Sequence, residues 1–120
     1  MSFMLLIQSG ERGRPRTESE RRTAAERMER MQRYGADLHA RGLLVAADSL
    51  RTDEDGVRIE MRAGKRTFSD GPFTESKEIV GGFFLINVKT REEALAIASE
   101  CPAAEWSTVE VRQSGPCYDE

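Results

Sequence analysis

The predicted fold is built around residues 70–88, which read Asp-Gly-Pro-Phe-Thr-Glu-Ser-Lys-Glu-Ile-Val-Gly-Gly-Phe-Phe-Leu-Ile-Asn-Val. The first half of this stretch is rich in turn formers and ionisable side chains. The second half, from Phe83 to Val88, is an apolar run of strand length without the regular polar alternation of a half-exposed strand. We therefore expect a turn that delivers the chain into a buried central strand.

Three further segments predict strands. Phe3 to Gln8 and Leu43 to Ala47 have apolar residues at both odd and even positions, which indicates strands covered on both faces. In the segment from Thr108 to Arg112, Val109 and Val111 alternate with polar side chains, which is typical of a strand that is half exposed or at a sheet edge.

Two helices are predicted between these strands. The first is expected to begin at Thr23, because Thr23 and Glu26 have the spacing of a capping box, and to end at Gly42. Its small or apolar positions recur at spacings of four and three: Ala24, Met28, Met31, Gly35, Leu38 and Gly42. The second helix should begin at Thr90, with Glu93 in a capping box, and should stop before Pro102.

A loop of mixed charge is expected before the first helix, over residues 11–22. Its arginines are interrupted by glutamates, and Gly13 and Pro15 break regular structure. We interpret these arginines as part of a solvated, mobile loop and the start of the helix; an anion-binding patch is the alternative.

A hairpin is predicted between the second and third apolar runs. Val57, Ile59 and Met61 alternate with charged side chains, and Gly64-Lys65 is expected to form a two-residue turn with glycine in the first central position. The strand Arg66 to Ser69 would then return antiparallel to the first.

This order of elements predicts an α+β fold. Without the hairpin, it is a ferredoxin-like split βαβ arrangement, with an antiparallel four-stranded sheet and both helices on one face. The central runs are apolar at both odd and even positions, so the sheet face that the helices leave uncovered should also be shielded from water. We therefore expect a homodimer in which two sheets pack face to face.

Composition limits the classes of function. The chain has 120 residues, expected to form one domain (1–120) with a flexible or partner-bound tail (113–120). A net charge of -3 and a pI near 5.3 argue against a nucleic-acid or anionic membrane surface as partner. No apolar run approaches the roughly 20 residues of a membrane span, which predicts a cytoplasmic protein.

Cysteine content and motifs indicate neither disulfides nor bound cofactors. Cys101 and Cys117 are expected to be a buried thiol and a tail thiol, because two cysteines and one histidine do not make a disulfide framework or a zinc site. Phosphate loops, zinc-ligand spacings and dinucleotide fingerprints are lacking, so we expect no metal and no cofactor.

The segment Asp70 to Glu78 is the candidate site. Gly71-Pro72 forms turns readily, Asp70 can accept hydrogen bonds from such a turn, and Phe73 can anchor in the core, so these residues have a structural explanation. In the functional interpretation, Asp70, Glu75 and Lys77 act as catalytic acid-base and anion-holding groups in a cleft. Ligand contacts would come from Tyr34, Arg66, Gly71, Pro72, Phe73, Glu78 and Arg112.

The sequence resembles the DGPF proteins, which belong to the broader YCII-related group. The resemblance is carried by Asp70 to Glu78, then Gly82-Phe83-Phe84, Glu92-Glu93-Ala94, Cys101-Pro102 and Val109 to Gln113, and it covers nearly the whole chain. It implies a dimeric α+β barrel of the ferredoxin-like kind. Some DGPF proteins are encoded beside extracytoplasmic-function sigma factors, which implies a role in a stress regulatory circuit with a sigma factor as a partner.

One branch of the group, the YciI branch, has a histidine on the first helix and an aspartate just before a proline after the second. This chain lacks both, since residues 31–34 contain no histidine and Cys101 precedes Pro102. A His-Asp mechanism is therefore not carried over.

Two hypotheses follow: a homodimeric small-molecule-binding protein with acid-base activity, or a non-enzymatic interaction module in a sigma-factor circuit. Convergence of Asp70, Glu75 and Lys77 on a closed pocket would favour the first, and an open surface the second.

Overall fold

The computed structural model describes residues 1–9 and 14–118, so residues 11–13 of the predicted loop and 119–120 of the predicted tail lie outside it. The regular elements are β1 (Ser2–Ser9), α1 (Glu18–Ala40), β2 (Leu44–Ser49), β3 (Val57–Arg62), β4 (Lys65–Asp70), β5 (Ile79–Asn87), α2 (Arg91–Ser99) and β6 (Thr108–Gln113). Short 3-10 helices occupy Asp53–Asp55 and Pro102–Glu105. Gln113, expected in the tail, is the last residue of β6.

The main sheet has four strands in the order β2-β5-β1-β6, and every neighbouring pair is antiparallel. This order is compatible with the split βαβ arrangement predicted from the sequence. β1 and β5 are the two central strands, as expected from their apolar runs, and β6 lies at an edge. The predicted α+β class is confirmed.

Both helices pack on one face of this sheet. Phe3, Leu5, Leu38 and Ile86 are completely or almost completely buried at the centre of the core. The core cluster joins Tyr34 and Leu38 of α1 and Ile97 and Ala98 of α2 to Phe3, Leu5, Phe84 and Ile86 of the central strands. Every second residue of β1 and β5 therefore lies on the sheet face that the helices cover.

The intervening residues point to the opposite face of the sheet. Met4, Leu6, Phe83 and Leu85 lie there and are only partly buried. The shortest principal extent of the molecule is 19 Å, which accommodates one layer of helix and one of sheet. We call these four residues the open sheet face.

The first helix begins earlier than predicted. Thr17 is its N-cap, and the Thr17 hydroxyl accepts a hydrogen bond of 3.0 Å from the backbone N–H of Glu20. Thr23 lies inside the helix, so the predicted start at Thr23 is wrong by more than a turn. The spacing Thr17-x-x-Glu20 has the same capping pattern, but the charged surroundings led us to expect a loop. The predicted end is confirmed, since Gly42 follows the helix with φ +71°.

The strand predicted over Leu43 to Ala47 is not covered on both faces. β2 is an edge strand and most of its residues are exposed, including Val45. Leu44, Val45 and two alanines give β2 an apolar composition, but the sheet ends at this strand, so β2 has no neighbouring strand on one side. Composition alone did not distinguish an edge strand from a central one.

The hairpin β3-β4 forms a separate two-stranded sheet. Arg62 pairs with Lys65, so the turn consists of Ala63 and Gly64, with φ values of 50° and 77°. Positive φ at both central residues gives a turn of type I′ with glycine second. The predicted Gly64-Lys65 turn was therefore placed one residue too late.

Candidate functional site

The segment Gly71 to Phe73 is an anchor at the base of the hairpin. Its partner is Asp53 in the first 3-10 helix, whose carboxylate Oδ2 accepts a hydrogen bond of 2.9 Å from the Phe73 backbone N–H. Asp53 and Phe73 are both buried. The backbone N–H of Gly71 donates to the carbonyl oxygen of Gly56 at 2.8 Å, and the Gly71–Pro72 peptide bond is cis.

Only glycine fits at position 71. A Cβ atom there would lie 1.7 Å from the carbonyl oxygen of Asp53, far inside van der Waals contact. The backbones of the two segments can approach this closely because Gly71 has no side chain. The structural explanation of this turn thus has a specific basis, the Asp53 partner, which the sequence did not reveal.

The charged residues of the predicted site lie on the surface. Asp70 and Lys77 are exposed, and Glu75 accepts a hydrogen bond of 2.7 Å from the Arg58 guanidinium. Arg58 also lies over the Phe73 ring, 3.9 Å from its centroid. The carboxylate of Glu78 accepts a hydrogen bond of 3.2 Å from the Thr108 hydroxyl, which directs it toward β6.

The other predicted ligand contacts are distributed over the molecule. Tyr34 is buried in the core, where its hydroxyl donates to the Ile97 carbonyl oxygen at 2.6 Å, and burial raises its pKa far above the usual value. Arg66 lies on β4 of the hairpin. Arg112 lies on β6 and donates to Glu110. The structure brings Gly71, Phe73 and Glu75 together but separates them from Tyr34 and Arg112.

A large concave surface lies elsewhere, between the first half of α1 and the end of the sheet where β2 stops and β5 starts. It is an open cleft of about 980 Å³. The apolar part of its lining includes Ile7, Ala24, Met28, Met31, Phe84 and Trp106. The polar part includes Ser9, Arg14, Ser19, Glu20, Thr23, Arg27, Gln32, Asp48, Ser49 and Ser107. None of the predicted site residues lines this cleft.

The cleft is held open by contacts at its two ends. At the mouth, Arg14 donates to Asp55 at 2.5 Å, which ties the segment before α1 to the 3-10 helix at the hairpin base. At the other end, the guanidinium groups of Arg27 and Arg30 lie 4.9 and 5.3 Å from the centroid of the Trp106 ring. Arg30 also pairs with Glu105, so α1 is fixed against the segment that carries Trp106.

These ion pairs hold both carboxylates in the charged form. Hydrogen bonds from Arg51 and Arg14 lower the pKa of Asp55 below its usual value. A hydrogen bond from Arg30 lowers the pKa of Glu105 in the same way. At neutral pH, the cleft is therefore bordered by charged side chains around an apolar floor.

Sequence reasoning missed this cleft because its walls come from five separate parts of the chain. Gly81 and Gly82 were noted, and Arg14 was included among the loop arginines, but nothing in their spacing placed them beside Trp106.

Within the described ranges, no group of three or more histidine, cysteine, aspartate or glutamate side chains is arranged to hold a metal ion. No helix there is long and apolar enough to cross a bilayer.

Comparison with known proteins gives a family but no characterised relative. The family model of the YCII-related domain matches residues 1–114, almost the entire chain. A search of curated proteins found no match. The match agrees with the α+β architecture described above, and on this basis the chain belongs to the YCII-related family.

Proposed function

We propose that this protein binds a small organic molecule in the cleft between α1 and the sheet. The observation that carries the proposal is the cleft of about 980 Å³ with an apolar floor and a polar border. Ligand sites in proteins commonly have volumes of roughly 300–1,000 Å³ and combine apolar walls with a few polar groups that orient the ligand. The cleft fits this description at the upper end of the range.

The chemistry of the lining indicates the kind of ligand. Met28, Met31 and Phe84 provide a flexible apolar surface, and methionine adapts well to irregular shapes. Arg14 and Ser49 lie on the polar border, where they are suited to hydrogen-bonding a polar group of the ligand. We infer a ligand with an apolar body and a polar or anionic end.

The test is a thermal-shift screen of a metabolite library against two matched variants. Ala24 lines the cleft, whereas its neighbour Ala25 is exposed outside it. Ala24→Trp should fill part of the cleft and abolish the stabilisation by ligands that stabilise the wild type. Ala25→Trp should leave that stabilisation unchanged. Ligands that stabilise both variants equally would show that the cleft is not the binding site.

We further propose that the protein acts as a homodimer through the open sheet face, as in a dimeric α+β barrel. Met4, Leu6, Phe83 and Leu85 are apolar side chains that solvent reaches in one protomer. Burial of apolar surface contributes roughly 25 cal/mol per Å² to association before its costs, so a second copy is a favourable cover.

Acid-base catalysis by Asp70, Glu75 and Lys77 stays a prediction. Their exposed positions favour the second candidate function, an interaction module with a protein partner such as a sigma factor, because exposed charges can steer and orient a partner of complementary charge. Asp70→Ala and Lys77→Ala test whether these side chains belong to a small-molecule site. Unchanged ligand stabilisation in both variants would exclude these side chains from the small-molecule site.

A further inference from the structure

The hairpin β3-β4 exposes a row of large apolar side chains. In its register Ile59 pairs with Phe68, Val57 with Asp70, and Met61 with Arg66, so these six residues share one face. Val57, Ile59, Met61 and Phe68 are 54%, 58%, 61% and 65% exposed. We call this the hairpin face.

The polar side of the hairpin is the one turned toward its own chain. Arg58 and Ser69 pair on that side, and Arg58 contacts Glu75, Ser76 and the Phe73 ring. This is the reverse of the usual arrangement, in which the apolar side of a hairpin faces the core. An isolated two-stranded hairpin is marginally stable in water, and an apolar row of this kind indicates an interaction site.

The shape of the protomer agrees with an arm that reaches beyond the core. The radius of gyration is 16.4 Å, whereas a compact domain of this length has about 14 Å. The hairpin strands form no sheet with the other four strands. The hairpin face is therefore available to another molecule.

We propose that the hairpin face binds the same face of a second copy of this chain. On β4, Arg66 and Asp70 lie on the hairpin face at equal distances on either side of Phe68. A two-fold axis perpendicular to the strands places β4 antiparallel on its copy. Phe68 then meets its counterpart, and Arg66 meets the Asp70 of the other copy at both ends.

The charges select this axis over the alternative. A two-fold axis parallel to the strands would place Arg66 on Met61 and Asp70 on Val57, which buries two charges against apolar side chains. With the perpendicular axis, Ile59 faces its counterpart and Val57 faces Met61. The hairpin face is thus complementary to itself in both polarity and charge.

Cross-linking tests the contact directly, in a Cys117→Ser background that removes the exposed native thiol. A bis-maleimide with a reach of about 10 Å matches the spacing of two facing sheets. Phe68→Cys should give covalent dimers in high yield. Ser69→Cys, one residue away on the polar side, should give few. Equal yields from the two variants would overturn the proposal.

Charge exchange tests the axis. Both single exchanges are made in a Leu85→Asp background, so that association through the open sheet face does not contribute. Arg66→Asp and Asp70→Arg each bring like charges together, and each should raise the Kd measured by sedimentation equilibrium roughly tenfold or more. The double exchange restores opposite charges at both ends and should return the Kd to within about threefold of that of the Leu85→Asp protein. A double variant as weak as the single ones would overturn the proposal.

Other occupants give other results. If the hairpin instead covers the open sheet face of a second copy, Phe68→Cys cross-links to Leu6→Cys in a mixture but not to itself, which contradicts the proposal. If the hairpin face serves an unrelated protein, no cross-linked dimer forms in the purified protein. Ligand stabilisation through the cleft is measured independently, because none of the cleft-lining residues belongs to the hairpin.

Discussion

Gly71 is the residue at which one added methyl group should be most harmful. Gly71→Ala places a Cβ 1.7 Å from the Asp53 carbonyl oxygen, so the hairpin base must move apart. Overpacking of this kind costs roughly 1–3 kcal/mol, and we expect at least that loss in the free energy of unfolding measured with urea. Gly81→Ala is the control, because its Cβ meets nothing closer than the Ile7 oxygen at 3.9 Å. Equal stability of the two variants would contradict the close approach.

Asp55 should make stability depend on pH in the acid range. Its pKa is lowered from 3.8 by hydrogen bonds from Arg51 and Arg14, so the folded state favours the charged form. The contribution is complete above the usual aspartate pKa and is lost as the pH falls through the lowered value.

The measurement is the Tm of wild type and Asp55→Asn between pH 7 and pH 2. The wild type should melt at a slightly higher temperature at neutral pH, and the difference should disappear toward pH 2. In an Arg51→Gln background, the Tm difference that Asp55→Asn causes at pH 7 should be smaller. Arg51→Gln removes the hydrogen bond that contributes most to lowering the Asp55 pKa. A difference that persists undiminished at pH 2 would rule out this linkage.

Among the elements, the start of α1 gives the clearest test. Thr17→Ala removes the side chain that accepts from Glu20, and such N-cap substitutions cost about 1 kcal/mol. Thr23→Ala should change stability by less than about 0.5 kcal/mol, because Thr23 is exposed inside the helix. Urea denaturation of the two variants compares the observed cap with the predicted one. A larger loss of stability in Thr23→Ala than in Thr17→Ala would favour a start of α1 at Thr23.

The type and order of the elements could be predicted from periodicity, but their surroundings could not. Phe3 to Gln8 and Phe83 to Val88 contain runs of apolar residues that matched central strands. Leu43 to Ala47 has a similar composition, yet it lies at the edge of the sheet, because strand order depends on contacts between distant segments. Thr90 and Glu93 were correctly assigned as a cap, since both lie next to a clear apolar helix pattern.

The candidate site divides in the same way. The sequence identified Asp70 to Phe73 as a turn and anchor, and the structure adds the partner, Asp53. The cleft could not be predicted because it forms only where α1, the sheet and the segment of Trp106 come together. Each of these segments has an ordinary composition when taken alone.

For the whole molecule, the homodimer makes a direct prediction. Leu85→Asp places a charge on the open sheet face and, in an Arg66→Asp background that weakens the hairpin contact, should convert the dimer to a monomer at micromolar concentration, as measured by light scattering. Leu95→Asp is the matched control, because Leu95 is 40% exposed on α2, on the other side of the sheet, and should leave the mass unchanged. A wild-type protein that is monomeric at this concentration would refute the proposed dimer.

Trp106 has one more consequence. It is the only tryptophan in the chain, it lines the cleft, and two guanidinium groups lie against its ring. Its fluorescence emission therefore comes from a single position and responds to the polarity of that position alone. A ligand that replaces water beside the indole should shift the emission to shorter wavelength, so the native protein carries a label-free optical reporter of cleft occupancy.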